Sequence, residues 1–316
     1  NAARAGRDVI LIGRDADAAR VMEKNRENRR YLPGVALDPA IRISTNLADT
    51  VDADAILLVV PAQTVGAVAG ALSSGCQPLI LCAKGLERGT DRRLSEVVAE
   101  VAPNRPLAAL SGPNFAREVA LGLPAAATLA CPDEKLGRKI AAAISHETFR
   151  AYWTADLIGV EIGGAIKNVL AIAAGMVAGK GLGENAKAAL ITRGLAELMR
   201  LGEALGAKRE TLMGLSGLGD LMLTAGSATS RNMAFGMKIG KGTNPHRLQQ
   251  EPGTLVEGVA TATAVIRLAQ SQATGRCPVP ICEAVAAILA GELDVDRAID
   301  ALMTRPLRAE ADPGNR

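Results

Sequence analysis

A chain of 316 residues with 48% hydrophobic and 22% charged side chains is long enough for two domains with substantial cores, and its composition is that of an ordinary globular protein. An aromatic share of only 2% makes the core aliphatic and argues against base-stacking platforms for single-stranded nucleic acid. The net charge of +3, with signs interspersed along the chain, implies no nucleic-acid patch and would suit a small anionic substrate.

The opening NAARAGRDVILIGRD reads as the last turn of a helix, Gly6 as its C-terminal cap, and then a strand from Val9 to Ile12. A helix is predicted over 15–28. Beyond it, apolar strand-like runs at 55–61, 79–85, 107–113 and 125–131 alternate with amphipathic helical runs at 62–72, 92–102, 114–121 and 133–145. Continuously apolar strands separated by helices predict a parallel sheet covered on both faces. The layout is the doubly wound, Rossmann-type α/β fold, in which function sits at the carboxyl ends of the strands. After FRAYWTAD (149–156) only helical periodicity remains, with long segments at 157–178, 184–206, 257–273 and 281–290. The predicted domains are therefore 1–155, of nucleotide-binding layout, and 156–316, all-α.

A dinucleotide fold carries Gly-x-Gly-x-x-Gly after its first strand, where backbone N–H groups at a helix N-terminus hold the pyrophosphate. No such motif precedes Val9. Since a first βαβ unit runs ~30 residues, roughly 20 residues, with the first strand and the glycine loop, are expected to be missing upstream. The longest apolar stretch, Val169 to Gly179, is well short of the ~20 residues that cross a bilayer, so no membrane span is expected. Five scattered cysteines without a Cys-x-x-Cys pair argue for a reducing compartment, the cytoplasm. With His146 and His246 as the only histidines, a histidine-rich metal site is excluded and no metal is expected.

Candidate chemistry gathers where the strands end. Arg14 directly follows Val9–Ile12, where an acidic residue reads a ribose 2′-hydroxyl or an arginine meets a 2′-phosphate; it leans toward NADP, while Asp15 beside it leaves NAD open. Lys84 closes one buried strand and Gly112, Pro113 and Asn114 close another, just ahead of a helix. In GGAIKNVLAIAAG (163–175) a lysine and an asparagine interrupt a run of small apolar residues. Gly163, Gly164, Leu170 and Ala171 are the helical neighbours of Lys167, and none can pair with its ammonium. The competing reading is a lysine that snorkels from a core helix to water. SGLGDLMLTAGSATSRNMAFG (216–236) reads as a glycine-rich, ligand-facing loop, with Arg231 as a fork for phosphate oxygens; its Ser and Asn could equally cap helix ends.

The set KGLE, SGPNFA, GGAIKNVLAIAAG, ITRGLAE, GLGDLMLT and SRNMAFG, in this order and spacing, resembles bacterial NAD(P)-dependent glycerol-3-phosphate dehydrogenase from residue 1 to about 305. The resemblance implies reversible hydride transfer between sn-glycerol 3-phosphate and dihydroxyacetone phosphate, supplying glycerol 3-phosphate for phospholipid synthesis. It implies an active site between a Rossmann domain and a helical one, and a homodimer is expected. By the same resemblance Lys167 is the general acid/base, its pKa depressed by apolar surroundings. Lys84, Asn168, Asp220 and Thr224 orient substrate oxygens and tune that lysine, Gly112, Asn114 and Ser230 add substrate contacts, and Arg231 and Asn232 bind the phosphate. Arg14, Tyr31, Lys84, Ala116, Arg231, Leu255 and Glu257 match cofactor-contacting positions. Two departures are the absent glycine loop and Asn114, which stands where the family usually has Ser or Thr. The alternatives on the same elements are a related two-domain dehydrogenase of a hydroxy acid or sugar acid, and a catalytically inactive nucleotide-binding fragment.

Overall fold

The computed structural model of the chain describes residues 1–251, 256–272, 275, 277–304 and 306. At the start of the chain, Gly6 takes φ +74° while its N–H reaches Ala3 O and the Arg7 N–H reaches Ala2 O at 3.1 Å. This is the left-handed glycine cap that ends a helical turn.

Among the described residues seven strands follow: β1 (Ile10–Ile12), β2 (Arg42–Ser44), β3 (Ile56–Leu58), β4 (Leu79–Leu81), β5 (Leu107–Ser111), β6 (Ala125–Ala130) and β7 (Phe149–Thr154). The single sheet expected from the pattern is two sheets: β1 pairs only with β2, and β3-β4-β5-β6-β7 form the other. Pairing is parallel except between β5 and β6. The reversal departs from the all-parallel reading, and the shortness of the connecting helix accounts for it. Between the two strands, 112–124 forms only the five-residue α4, under two turns, whereas a parallel crossover usually carries a full helix. Helical periodicity had not exposed β2 or β7. β7 is an edge strand whose Phe149 and Trp153 turn inward while Arg150 and Tyr152 face water. Trp153 lies over Gly137, where an added Cβ would meet the indole at 2.3 Å.

The helices of this half are α1 (Ala16–Asn25), α2 (Val65–Gly70), α3 (Leu94–Val101), α4 (Ala116–Ala120) and α5 (Glu134–Ile144). β4 is buried on both faces, as a sheet between two helical layers requires. Leu79 and Leu81 join Leu58, Val65, Leu94, Val98 and Val160 on one side, and Ile80 joins Ala108, Leu129, Ile140 and Ala141 on the other. The two-residue strand period alone makes that division.

The remaining helices are α6 (Leu157–Gly179), α7 (Gly183–Ala204), α8 (Arg209–Leu212), α9 (Asp220–Gly226), α10 (Arg231–Gly240), α11 (Pro245–Gln250), α12 (Glu257–Gln270), α13 (Pro280–Leu289) and α14 (Val295–Met303). Helix α6 matches the segment expected at 157–178 to within one residue; its 23 residues are, by length and hydropathy, enough to cross a bilayer, which the apolar run 169–179 alone did not suggest. Its most apolar stretch is 89% buried inside the protein, so it is a core helix. It crosses α10 at glycines: a Cβ on Gly236 would stand 2.1 Å from Ile172 O, and one on Gly175 2.2 Å from Met233 O. Only glycine permits backbones to approach so closely.

The segment 216–236 is not the loop its glycines suggested. It forms a π-type turn (Leu215–Gly219), then α9 and the first turn and a half of α10, joined only by residues 227–230. Gly217 serves packing there, since a Cβ would lie 1.9 Å from Leu212 O.

Candidate active site

Lys167 sits in the middle of α6 and is 6% exposed, so it does not snorkel to water. Its ammonium donates to Asp220 Oδ1 at 2.9 Å and Thr224 Oγ1 at 2.7 Å. Asp220 and Thr224 share a face of α9 by their i, i+4 spacing, and the threonine hydroxyl also donates to Asp220 Oδ1 at 3.2 Å. Asp220 opens α9, where the helix dipole favours a carboxylate. Its other oxygen accepts from Lys84 Nζ at 2.6 Å, and Lys84 Nζ also donates to Gly112 O at 3.0 Å. One buried carboxylate thus holds two ammonium groups, one from each half of the molecule.

The double glycine beside Lys167 has a packing reason. A Cβ at Gly164 would stand 3.1 Å from Ser111 Oγ and 3.5 Å from Lys84 Cγ, and one at Gly163 2.8 Å from Ser216 O. These glycines let the end of β5, the Lys84 stem and the π-type turn close on α6. The result is a lysine whose pKa falls to about 8. Burial is the main cause and the nearby Lys84 charge the second, with Asp220 and Glu257 opposing both.

Asn168 and Asn232 form a relay beneath this pair. Asn168 Nδ2 points at Lys84 O and Gly164 O, both at 3.4 Å, and its Oδ1 accepts from Asn232 Nδ2 at 2.8 Å. Asn232 Oδ1 then accepts from Gly258 N at 3.1 Å, at the start of α12. Next to Gly258 is half-buried Glu257, its pKa raised by burial against the pull of Arg231, Lys167 and Lys84. Ser230 caps α10 through the Met233 N–H, as the capping reading allowed, and Arg231 is exposed beside it, without an ion pair among the described residues. Asn114 spends its Nδ2 on Ala126 O at 3.0 Å and leaves a buried Oδ1 unpartnered.

The structure therefore brings together Lys84, Gly112, Lys167, Asn168, Asp220, Thr224, Asn232 and Glu257. Arg14 stands exposed between β1 and the α1 cap Asp15, and Tyr31 is 73% exposed with the Arg30 guanidinium over its ring. Ala116 opens α4 on the surface, and no hydrogen bond among the described residues joins these three to the lysine pair. Leu255 lies outside the described residues. Sequence reasoning passed over two buried groups. Ser111 Oγ, at the end of β5, is unpartnered. Glu161, besides Lys167 the one charge in α6, accepts from Ser95 across the two halves. A second charge in so apolar a helix was its available signal.

Comparison with known proteins identifies the family. The family description NAD-dependent glycerol-3-phosphate dehydrogenase N-terminus matches residues 2–137, and its C-terminus counterpart matches 156–300. Glycerol-3-phosphate dehydrogenase [NAD(P)+] of Caulobacter vibrioides is 52% identical over 313 residues, covering 98% of this chain and 94% of that protein. The Rhodospirillum rubrum protein of the same name is 50% identical, covering 97% and 88%. The crystal structure of glycerol-3-phosphate dehydrogenase from Coxiella burnetii superposes with a TM-score of 0.89 at 37% identity, over 96% of this chain and 93% of that one. A ketopantoate reductase from Ralstonia eutropha, at 14% identity and a TM-score of 0.59, shares the fold alone. The chain belongs to the NAD-dependent glycerol-3-phosphate dehydrogenase family.

Proposed function

We propose that this protein interconverts sn-glycerol 3-phosphate and dihydroxyacetone phosphate with a nicotinamide cofactor, and that Lys167 moves the proton. The observation that carries this reading is the Lys84–Asp220–Lys167 cluster, with its Lys167 pKa of about 8. A general base works best with a pKa near operating pH. Neutral Lys167 takes the proton of the carbinol hydroxyl during oxidation and returns it in reduction. Lys84, held by Asp220 and Gly112 O, is the fixed cation that stabilises charge on the same oxygen. The exposed Arg231 fork, on the first turn of α10, suits the substrate phosphate, with Asn232 and Ser230 holding its helix.

The residues present fit a dinucleotide. Arg14 is unpaired among the described residues and stands past a strand end, Asn114 presents an unused acceptor, and Glu257 lies beside the lysines. Arg14, Tyr31, Ala116, Arg231, Leu255 and Glu257 would hold the cofactor, Arg14 favouring a 2′-phosphate and hence NADP. The bound nicotinamide supplies or accepts the hydride. Residues 1–155 then form the dinucleotide-binding domain and 156–316 the helical domain that carries the base and the phosphate site, with Lys84 serving the substrate from the first and Arg231, Leu255 and Glu257 the cofactor from the second. Five free cysteines suit a cytoplasmic enzyme, and the expected homodimer is testable by light scattering.

Lys167→Ala tests the reading. It should lower kcat by ~10² to 10⁴ while leaving cofactor affinity nearly intact. A variant that keeps most of its turnover with dihydroxyacetone phosphate removes Lys167 from the mechanism.

A further inference from the structure

Glu161 is 9% exposed, and it reaches out of the helical half toward α3. Its carboxylate accepts the Ser95 backbone N–H at 2.8 Å and the Ser95 hydroxyl at 2.5 Å, with Arg93 Nη1 at 3.9 Å. Ser95 lies in the first turn of α3, where N–H groups lack helical partners and the dipole favours an anion.

The two ends of this contact connect to the lysine pair through short, stiff paths. On one side, Glu161 and Lys167 are six residues apart on α6, about 9 Å along its axis. On the other, Lys84 and Ser95 flank a closed loop. Leu86 bridges Arg93, Glu87 N donates to Arg92 O, and Gln63 fastens the loop through Leu86 O and Arg88 N. Asp220 joins the two lysines at the far end. The assembly is a closed circuit: α6, the Glu161–Ser95 contact, the 84–95 loop, and the Lys84–Asp220–Lys167 bridge.

We propose that Glu161 is a positioning residue for the reaction: through Ser95 it fixes the helix carrying Lys167 against the strand end carrying Lys84. The proposal rests on the reading of Lys167 as the base. The charged groups facing Lys167 are Lys84 from the end of β4, Asp220 from α9 and Glu257 from α12; Arg93 and Glu96 are those beside Glu161. Asp220 and Glu257 belong to the helical half and move with Lys167, whereas Lys84 belongs to the sheet. Opening the contact therefore withdraws the like charge, admits water and keeps the carboxylates, and all three favour protonated Lys167.

The test is the pH profile of kcat/KM for glycerol 3-phosphate oxidation by the full chain. Glu161→Ala should move the acidic limb upward by about half to one pH unit and lower kcat/KM at pH 8 about two- to fivefold. Glu161→Gln, which can still accept from Ser95, should hold the limb near the wild-type position. Ser95→Ala, which spares the backbone donor, should shift it less and in the same direction, and it decides the matter if Glu161→Ala does not fold. Arg267→Met is the structural control. It breaks the Arg267–Asp91 ion pair, which ties the same loop to α12, and should lower Tm without moving the limb. An unmoved limb in Glu161→Ala, or in Ser95→Ala if that variant alone folds, overturns the proposal, as does an equal shift in Arg267→Met. A wild-type profile with no limb near pH 8 overturns the Lys167 reading and this proposal together.

Discussion

The crossing of α6 and α10 and the pairing of β1 with β2 are opposite ways of placing a functional side chain. At the crossing, backbone lies on backbone through Gly175, Gly179, Gly236 and Gly240, and the surrounding side chains of α6 are almost all buried. In the small sheet, each strand contributes three residues, none of them fully buried. Lys167, Asn168 and Asn232 belong to the first region, Arg14 to the second. On the roles proposed above, the difference teaches that a proton-transfer site is over-determined, because desolvation and sub-ångström geometry set its chemistry. A surface arginine recognising a phosphate needs only reach and charge.

The strongest way to break this contrast is Gly236→Val. The new Cβ would be driven against Ile172 O and neither helix can yield, so a loss above ~4 kcal/mol, seen as failure to accumulate folded protein, is expected. Ordinary thermal stability in this variant would mean the crossing is looser than described.

Asp220→Asn probes the buried charge at the same site. Removing one partner of a buried ion pair costs about 3–5 kcal/mol, to be read by urea denaturation. Asp220 is one of the groups holding the Lys167 pKa up, so the acidic limb of activity should move to lower pH, opposite to Glu161→Ala. A limb moving upward would contradict the assigned balance of charges.

Glu197 sharpens the comparison through pH. It is 2% exposed in α7, caps the start of α13 through Ile281 N and Cys282 N, and its pKa is raised to about 7 by burial. Between its ordinary value of 4.5 and about 7, the folded state binds more protons than the unfolded one. Its stabilising share is therefore complete below pH 4.5 and is lost as pH rises through 7, by at most about 3 kcal/mol. Denaturation of wild type and Glu197→Gln from pH 4.5 to 8 should converge or cross as pH rises; parallel curves would refute the assignment.

The smallest effect belongs to the exposed region. Arg14→Ala should change folding stability by less than ~0.5 kcal/mol. It should weaken NADPH about 10-fold or more, and NADH much less, because only NADPH offers a 2′-phosphate. Titration calorimetry with both cofactors decides, and equal losses would remove Arg14 from 2′-phosphate recognition.

Much of the architecture was legible in local pattern. The strand–helix alternation, the Gly6 cap, the helical second half and the anomaly of Lys167 among small residues all follow from periodicity, glycine conformation and the cost of an isolated charge. What was misread involves partners distant in sequence. The reversal of β6 depends on the space left by 112–124, and the edge strand β7 on a neighbour to pair with. The helices within 216–236 depend on glycines that α6 and α8 press against, because a glycine needed for close packing looks in sequence like one needed for a turn. The amino-acid sequence by itself determined most of the elements and which groups are chemically out of place. Only the tertiary structure decided that Asp220 is shared by two lysines 83 residues apart in sequence, and that Glu161 answers Ser95, because desolvation and hydrogen bonding act between groups that folding alone brings within 3 Å.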